Sequence, residues 1–293
     1  MFLQEPEQSQ FDLRFHVFGI PVRVHPWFWL VTIMLGWPIL RDAKGGPEGF
    51  LYLGIWVGCV FISILIHELG HVGMGIAFGS TGSHIVLYSF GGLAIGSANV
   101  SQRWQRILVL LAGPGAGFLF LALVLPLGLW VDYDRVLFSL LGVFHIKHVA
   151  TGPLPDTPIW FLEMMSSLIW INMFWGMMNL LPIWPLDGGQ VSREVFVKYA
   201  SDGVRKSLIL SIIISCFFGG NALMGIIQKK PFIPFLPQGD FFQLIFFGLF
   251  ALMSWQLLQQ TGGGGGGGGR PRVENESYER APWERDADWW KKG

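Results

Sequence analysis

Six long apolar runs constrain this chain more than anything else in it. They are Trp27–Leu40, Leu51–Phe78, Ile107–Val131, Phe161–Leu181, Ser207–Gln228 and Phe241–Leu258. A helix needs roughly 20 apolar residues to cross about 30 Å of hydrocarbon, so the runs predict six membrane spans, the first being the shortest. Composition agrees: 52% of residues are hydrophobic and 14% charged, with a mean hydropathy of +0.47. Soluble domains carry about 25% charged residues. The expected fold class is an all-α polytopic membrane protein.

The formal net charge is zero, so the chain has no basic field to attract nucleic acid. Cys59 and Cys216 both lie in apolar stretches and are expected to be buried packing residues rather than a disulfide framework. The first 26 residues show no secretory signal pattern, which leaves targeting to the first span. With the N-terminus in the cytoplasm, 14 of the 20 lysines and arginines fall on the cytoplasmic side. That follows the positive-inside bias and puts both termini in the cytoplasm.

Three divisions are expected. Residues 1–26 form a cytoplasmic N-terminal segment, 27–259 a membrane-embedded domain, and 260–293 a linker and tail. The linker holds eight consecutive glycines, Gly262–Gly269, and the tail carries Trp283, Trp289 and Trp290. Gly79–Val100, rich in glycine, serine and β-formers, predicts a membrane-associated re-entrant β-hairpin between spans two and three, turning at Gly91 and Gly92.

The second span holds His67-Glu68-Leu69-Gly70-His71. Residues four apart share a helix face, so both histidines can bind one metal ion while Glu68 lies beside that face. This H-E-x-x-H spacing supplies two ligands and a general base for metal-assisted hydrolysis. Charged groups within a bilayer are costly and rare, which weighs against a chance pentapeptide. His67 lies 16 steps after Leu51, about 24 Å along the helix, hence inside the bilayer but nearer its cytoplasmic face.

A catalytic zinc takes three protein ligands and keeps a position for water. The best third candidate is Asp187, in Asn179-Leu-Leu-Pro-Ile-Trp-Pro-Leu-Asp-Gly-Gly at the end of the fourth span. Pro182 and Pro185 end the helix there, and Gly188 and Gly189 are expected to let the backbone bend after the aspartate. Asn179 is a candidate either to bond substrate backbone or to steady the broken helix. His84, His145 and His148 are not expected to be ligands, and His16 and His25 read as interfacial residues.

HELGH in an apolar helix, followed by NLLPIWPLDGG, resembles the site-2 protease family of intramembrane zinc metalloproteases. The resemblance covers roughly residues 50–195, and FGIPVRVHPWFWL is similar to the start of short bacterial members. It implies a metalloendopeptidase with one zinc ion per chain, held by His67, His71 and Asp187, with Glu68 as the catalytic carboxylate. SFGGLA at 89–94 is similar to the family's hairpin that receives substrate as an added strand, which makes Gly91 and Gly92 candidate substrate-binding residues. LAGPGAG at 111–117 has Gly117 where members often carry asparagine in A-G-P-x-x-N. No PDZ-like insertion or CBS-like domain is expected.

The implied substrate is a transmembrane segment of another protein, cut in regulated intramembrane proteolysis. The implied partners are that substrate, the lipid bilayer and an inhibitory or regulatory membrane protein. The implied location is the bacterial inner membrane. A catalytically inactive relative that binds or chaperones membrane segments is the alternative. A metal transporter would need polar residues through several spans, and the third span has essentially none. The serine-protease string G-x-S-G is absent, and the nearest approach to G-x-G-D is Pro237-Gln-Gly-Asp240.

Overall fold

The computed structural model describes residues 5–262 apart from 44, 90, 145, 147, 150–155, 230–238 and 240. The poly-glycine linker beyond Gly262, the tryptophan tail and His145 therefore lie outside the described residues.

The chain opens with two strands, β1 (Leu13–Val17) and β2 (Ile20–Val24), joined through Phe18 and Gly19. Both turn residues have positive φ, 52° and 80°, the conformation that a two-residue hairpin turn requires. Two long helices follow, α1 (Pro26–Asp42) and α2 (Pro47–Ala77). Each has proline in its first turn, where the missing N–H costs nothing. His25 caps α1 by accepting the Trp27 backbone N–H on Nδ1, and burial lowers its pKa. Next come β3 (His84–Tyr88), β4 (Gly91–Ile95) and α3 (Arg103–Val131), which starts with a Gln102–Gln105 capping box.

On the far side, α4 (Tyr133–Gly142) begins at the buried Asp132, which accepts the Arg135 backbone N–H. The chain returns through α5 (Ile159–Ile169), a π-helical turn (Trp170–Trp175) and α6 (Gly176–Asn179). The helices α7 (Asp187–Tyr199), α8 (Gly203–Gln228) and α9 (Phe241–Gly262) complete it.

Four of these helices, α2, α3, α8 and α9, are long and apolar enough to cross a membrane. In the most apolar stretch of α2, α3 and α8 only 33% of residues are buried inside the protein, and in α9 only 17%. The rest of that surface faces outward and is apolar, which is what lipid requires. The first and fourth predicted spans are also helical, but α1 has 17 residues and residues 159–179 are divided by the π turn.

The expected β-hairpin is present, with two corrections. It belongs to a four-stranded sheet of order β1-β2-β3-β4, in which β2 and β3 pair in parallel, Val22 with Ile85 and Val24 with Leu87. Its turn falls between the paired Tyr88 and Gly91, and Ser89 takes the positive φ of 52°. Gly91 and Gly92 are paired residues of β4, opposite Tyr88 and Leu87.

One face of the sheet is apolar. Val22, Val24, Ile85 and Leu87 are fully buried and pack with Phe28 of α1 and with Ile64 and Val72 of α2. Each such side chain contributes about 1.5–3 kcal/mol. On the β1–β2 strands, Arg23 is fully buried and held by the N-terminal segment: Nη1 donates to Asp12 Oδ2 at 3.0 Å and Nη2 to Glu5 Oε1 at 2.8 Å. Segment 5–24 is thereby packed into the body of the protein.

Candidate metal centre

The helix α2 carries His67, Glu68 and His71, and α3 crosses it closely. A Cβ on Gly70 would collide with the Ala112 carbonyl, and a Cβ on Gly113 would collide with the His71 ring. Small residues at such a crossing let two backbones approach, and here they also make room for a ligand side chain. His71 Nδ1 lies 2.7 Å from the Val109 carbonyl of α3. The carbonyl can only accept, so Nδ1 carries the hydrogen and Nε2 keeps its lone pair for a metal.

The segment after α6 brings in Asp187. Trp184 donates its backbone N–H to Ser211 Oγ of α8 at 2.8 Å, and Ile183 is fully buried. The Trp184–Pro185 peptide is cis. Asp187 is then the first residue of α7. The two following glycines do not serve as a bend, contrary to expectation: they lie in the first turn of α7. A Cβ on Gly188 would strike the Leu180 carbonyl, and one on Gly189 the Ile183 carbonyl. They allow the loop to double back against the helix that carries Asp187. Glu194, two turns further along α7, meets Arg106 at 3.3 Å and Arg103 at 3.4 Å, tying α7 to the start of α3.

These elements bring three atoms together. Asp187 Oδ2 lies 3.1 Å from His67 Nε2 and 3.5 Å from His71 Nε2, and the two Nε2 atoms are 3.1 Å apart. Among the described residues, His67, His71 and Asp187 are the one such group that could hold a metal ion. The donor set fits a metal on chemical grounds. With His71 fixed as the Nδ1–H tautomer, its Nε2 is a lone-pair donor aimed at a buried carboxylate oxygen. Converging electron pairs of this kind repel unless a cation lies among them, and two imidazoles with one carboxylate suit zinc.

Glu68 is buried beside the cluster, against β4. A Cβ on Gly92 would collide with the Glu68 side chain, so Gly92 is where the strand lies closest. Gly91 has no such neighbour. Asn179 is buried at the end of α6, eight residues before Asp187. His84 is buried in β3, 3.7 Å from Glu5, and His148 bonds Asp134 at 2.9 Å; neither belongs to the cluster.

Asn172 was not foreseen from sequence. It is buried on the π turn, and its Nδ2 donates to Ser63 Oγ of α2 and to the Leu168 carbonyl, both at 2.9 Å. A Cβ on Gly117 would lie 3.3 Å from Asn172 Oδ1. An asparagine inside an apolar span was the available signal.

The family model for peptidase family M50 matches residues 55–218, more than half of the chain. The chain belongs to peptidase family M50. The resemblance to site-2 proteases drawn from HELGH and NLLPIWPLDGG is thereby borne out. This M50 chain is 31% identical over 252 residues to a Synechocystis protein named as a zinc metalloprotease, covering 84% of this chain and 57% of that one. It is 23% identical to stage IV sporulation protein FB of Bacillus subtilis, over 68% of this chain and 57% of that one. The chain spans about half the length of the curated relatives it matches. Among solved structures, the site-2 protease from Methanocaldococcus jannaschii aligns with a TM-score of 0.45 and 20% identity, over 84% of this chain and 94% of that one.

Proposed function

We propose that this M50 member is a zinc endopeptidase that hydrolyses a peptide bond within or near a transmembrane segment of another membrane protein, in regulated intramembrane proteolysis. The observation that carries this reading is the convergence of His67, His71 and Asp187 beside a buried Glu68. The names of its relatives as zinc metalloproteases support the same chemistry.

His67, His71 and Asp187 would hold one zinc ion, which would supply Lewis-acid chemistry and a bound water of pKa about 7. Glu68 takes the proton from the attacking water and delivers it to the leaving amide nitrogen. The substrate unwinds locally and joins the hairpin edge at β4 as an added strand, its backbone passing Gly91 and Gly92, while Asn179 bonds substrate backbone or holds the broken helix. The domain of residues 27–259 contributes six spans, with the hairpin associated with the membrane and both termini cytoplasmic, in a bacterial inner membrane. A regulatory membrane protein is the further partner. The alternative is a non-catalytic binder of membrane segments; the closeness of His67, His71 and Asp187 beside a buried Glu68 supports the enzyme over it.

The test is metal content in mild detergent. Wild type and Glu68→Gln are expected to hold about one zinc per chain, the open-site stoichiometry. Asp187→Ala loses most of it, and Glu68→Gln abolishes cleavage of single-span substrates. A wild type that binds no zinc after resupply overturns the reading.

A further inference from the structure

A small cavity adjoins the metal cluster on the side of His67. It is bounded by Ser63 and His67 of α2, Gly117 of α3, and Asn172 and Trp175 of the π turn. Its interior is sized for about one water molecule. Three helices meet here, and the polar groups among them are unusual for this depth.

A metal-bound imidazole uses one nitrogen for the metal and donates its other N–H to a carboxylate, a carbonyl or a water, which fixes the ring. For His71 that acceptor is the Val109 carbonyl. His67 turns Nε2 toward the cluster, and among the described residues no protein acceptor meets its Nδ1. Helical side chains lean toward the helix N-terminus, so this ring lies over the turn that carries Ser63. Across the cavity, both amide hydrogens of Asn172 are committed, one to Ser63 Oγ and one to the Leu168 carbonyl. That assigns the amide orientation and leaves Oδ1 as an acceptor, directed at the space above Gly117. Helix irregularities of the π type recur at functional sites.

We propose that this cavity is a binding site for one structural water that links His67 to Asn172. The water accepts the His67 Nδ1–H and donates to Asn172 Oδ1, with Ser63 Oγ as a third partner. A buried water makes two to four such bonds, a requirement the cavity meets. Asn172 is thus a positioning residue, acting through the water on a zinc ligand, and the inference rests on the zinc reading above. Gly117 is part of the same device, because any side chain there would enter the water's space.

The test compares zinc affinity, by competition with a chromophoric chelator, for the full chain in detergent as wild type, Gly117→Ala and Asn172→Leu. The thermal unfolding of each zinc-free protein is measured alongside. Loss of an outer hydrogen-bond partner costs about 10- to 100-fold in metal affinity. Gly117→Ala is expected to weaken zinc binding about tenfold while the zinc-free protein unfolds at the same temperature or higher, since alanine favours a helix over glycine. Asn172→Leu weakens zinc binding at least as much. If Asn172→Leu does not fold, Gly117→Ala decides alone. Wild-type zinc affinity in Gly117→Ala overturns the water site while leaving the zinc reading intact. A wild type without zinc binding overturns both.

Discussion

Gly92, a residue without a side chain, fixes the space left to Glu68, the carboxylate to which the proposed function assigns the proton transfer. It lies where β4 passes over Glu68, and any Cβ there overlaps the carboxylate side chain. Gly92→Ala is expected to displace Glu68 and lower the rate of hydrolysis at least about tenfold, about 1.4 kcal/mol in barrier. Zinc content should not change, because no ligand is touched. Gly73→Ala, on the helix α2 that carries Glu68, has open space at its Cβ and serves as the control. The measurements are peptide cleavage and metal content for both variants; equal activity in the two would remove this role from Gly92. At this scale the site was partly legible in the sequence. His67, Glu68 and His71 announce themselves by spacing, and Asp187 by its setting among prolines and glycines. Gly92, Gly188 and Gly189 stand out in the sequence only for other roles and Gly113 for none, because what they do is leave space for a neighbour that only the fold brings close. Asn172 was missed for a related reason: its partners lie on α2 and α3, and only the fold brings Ser63 and Gly117 to it.

Among the elements, hydropathy located the long helices to within a few residues and did not detect the irregularity that matters most. A π turn keeps the apolar composition of its helix and changes only the hydrogen-bond period, so no run of residues marks Trp170–Trp175. The N-terminal hairpin was also not foreseen. Its strands are five residues each, and the feature that stabilises them, a parallel partner in β3, lies beyond two intervening helices. Arg23 secures this hairpin from its other face. Arg23→Leu removes the nearest cation from the buried Asp12 side chain, which keeps Arg14 at 3.9 Å, and from the partly buried Glu5, a loss of up to about 3–5 kcal/mol when one partner of a buried pair is removed. The expected result is a lowered unfolding midpoint in detergent, partly restored by combining Arg23→Leu with Asp12→Asn. A single variant as stable as wild type would show that the cluster is not needed to hold the sheet.

Over the whole molecule, the sheet fixes sidedness. β2 enters α1 and β3 leaves α2, and the two strands pair, so α1 and α2 carry the chain away from one face of the protein and back to it. The helix α3 then leads from that face to α4 on the other. Together with the lysine and arginine bias, this predicts Arg14 and Thr81 on the cytoplasmic side and Tyr133 on the outside. Single-cysteine variants at these positions, in a background with Cys59 and Cys216 replaced by serine, test it with an impermeant maleimide. Tyr133→Cys should label in intact cells, and Arg14→Cys and Thr81→Cys only after permeabilisation. Labelling of all three in intact cells would reject the arrangement.

The parallel pairing of Val22 with Ile85 also sets an order of assembly. The partners are separated by both α1 and α2, so closing the sheet means ordering a long stretch of chain before the contact can form. β2 leaves the ribosome well before β3 exists, and its β3-facing edge waits unpaired, with β1 on its other edge, until α1 and α2 have been made. The strand roof over Glu68 reaches its final form only afterwards. A nascent chain therefore has Glu68 without the completed sheet that covers it, and on the proposed reading the closing of that sheet becomes the step that matures the enzyme.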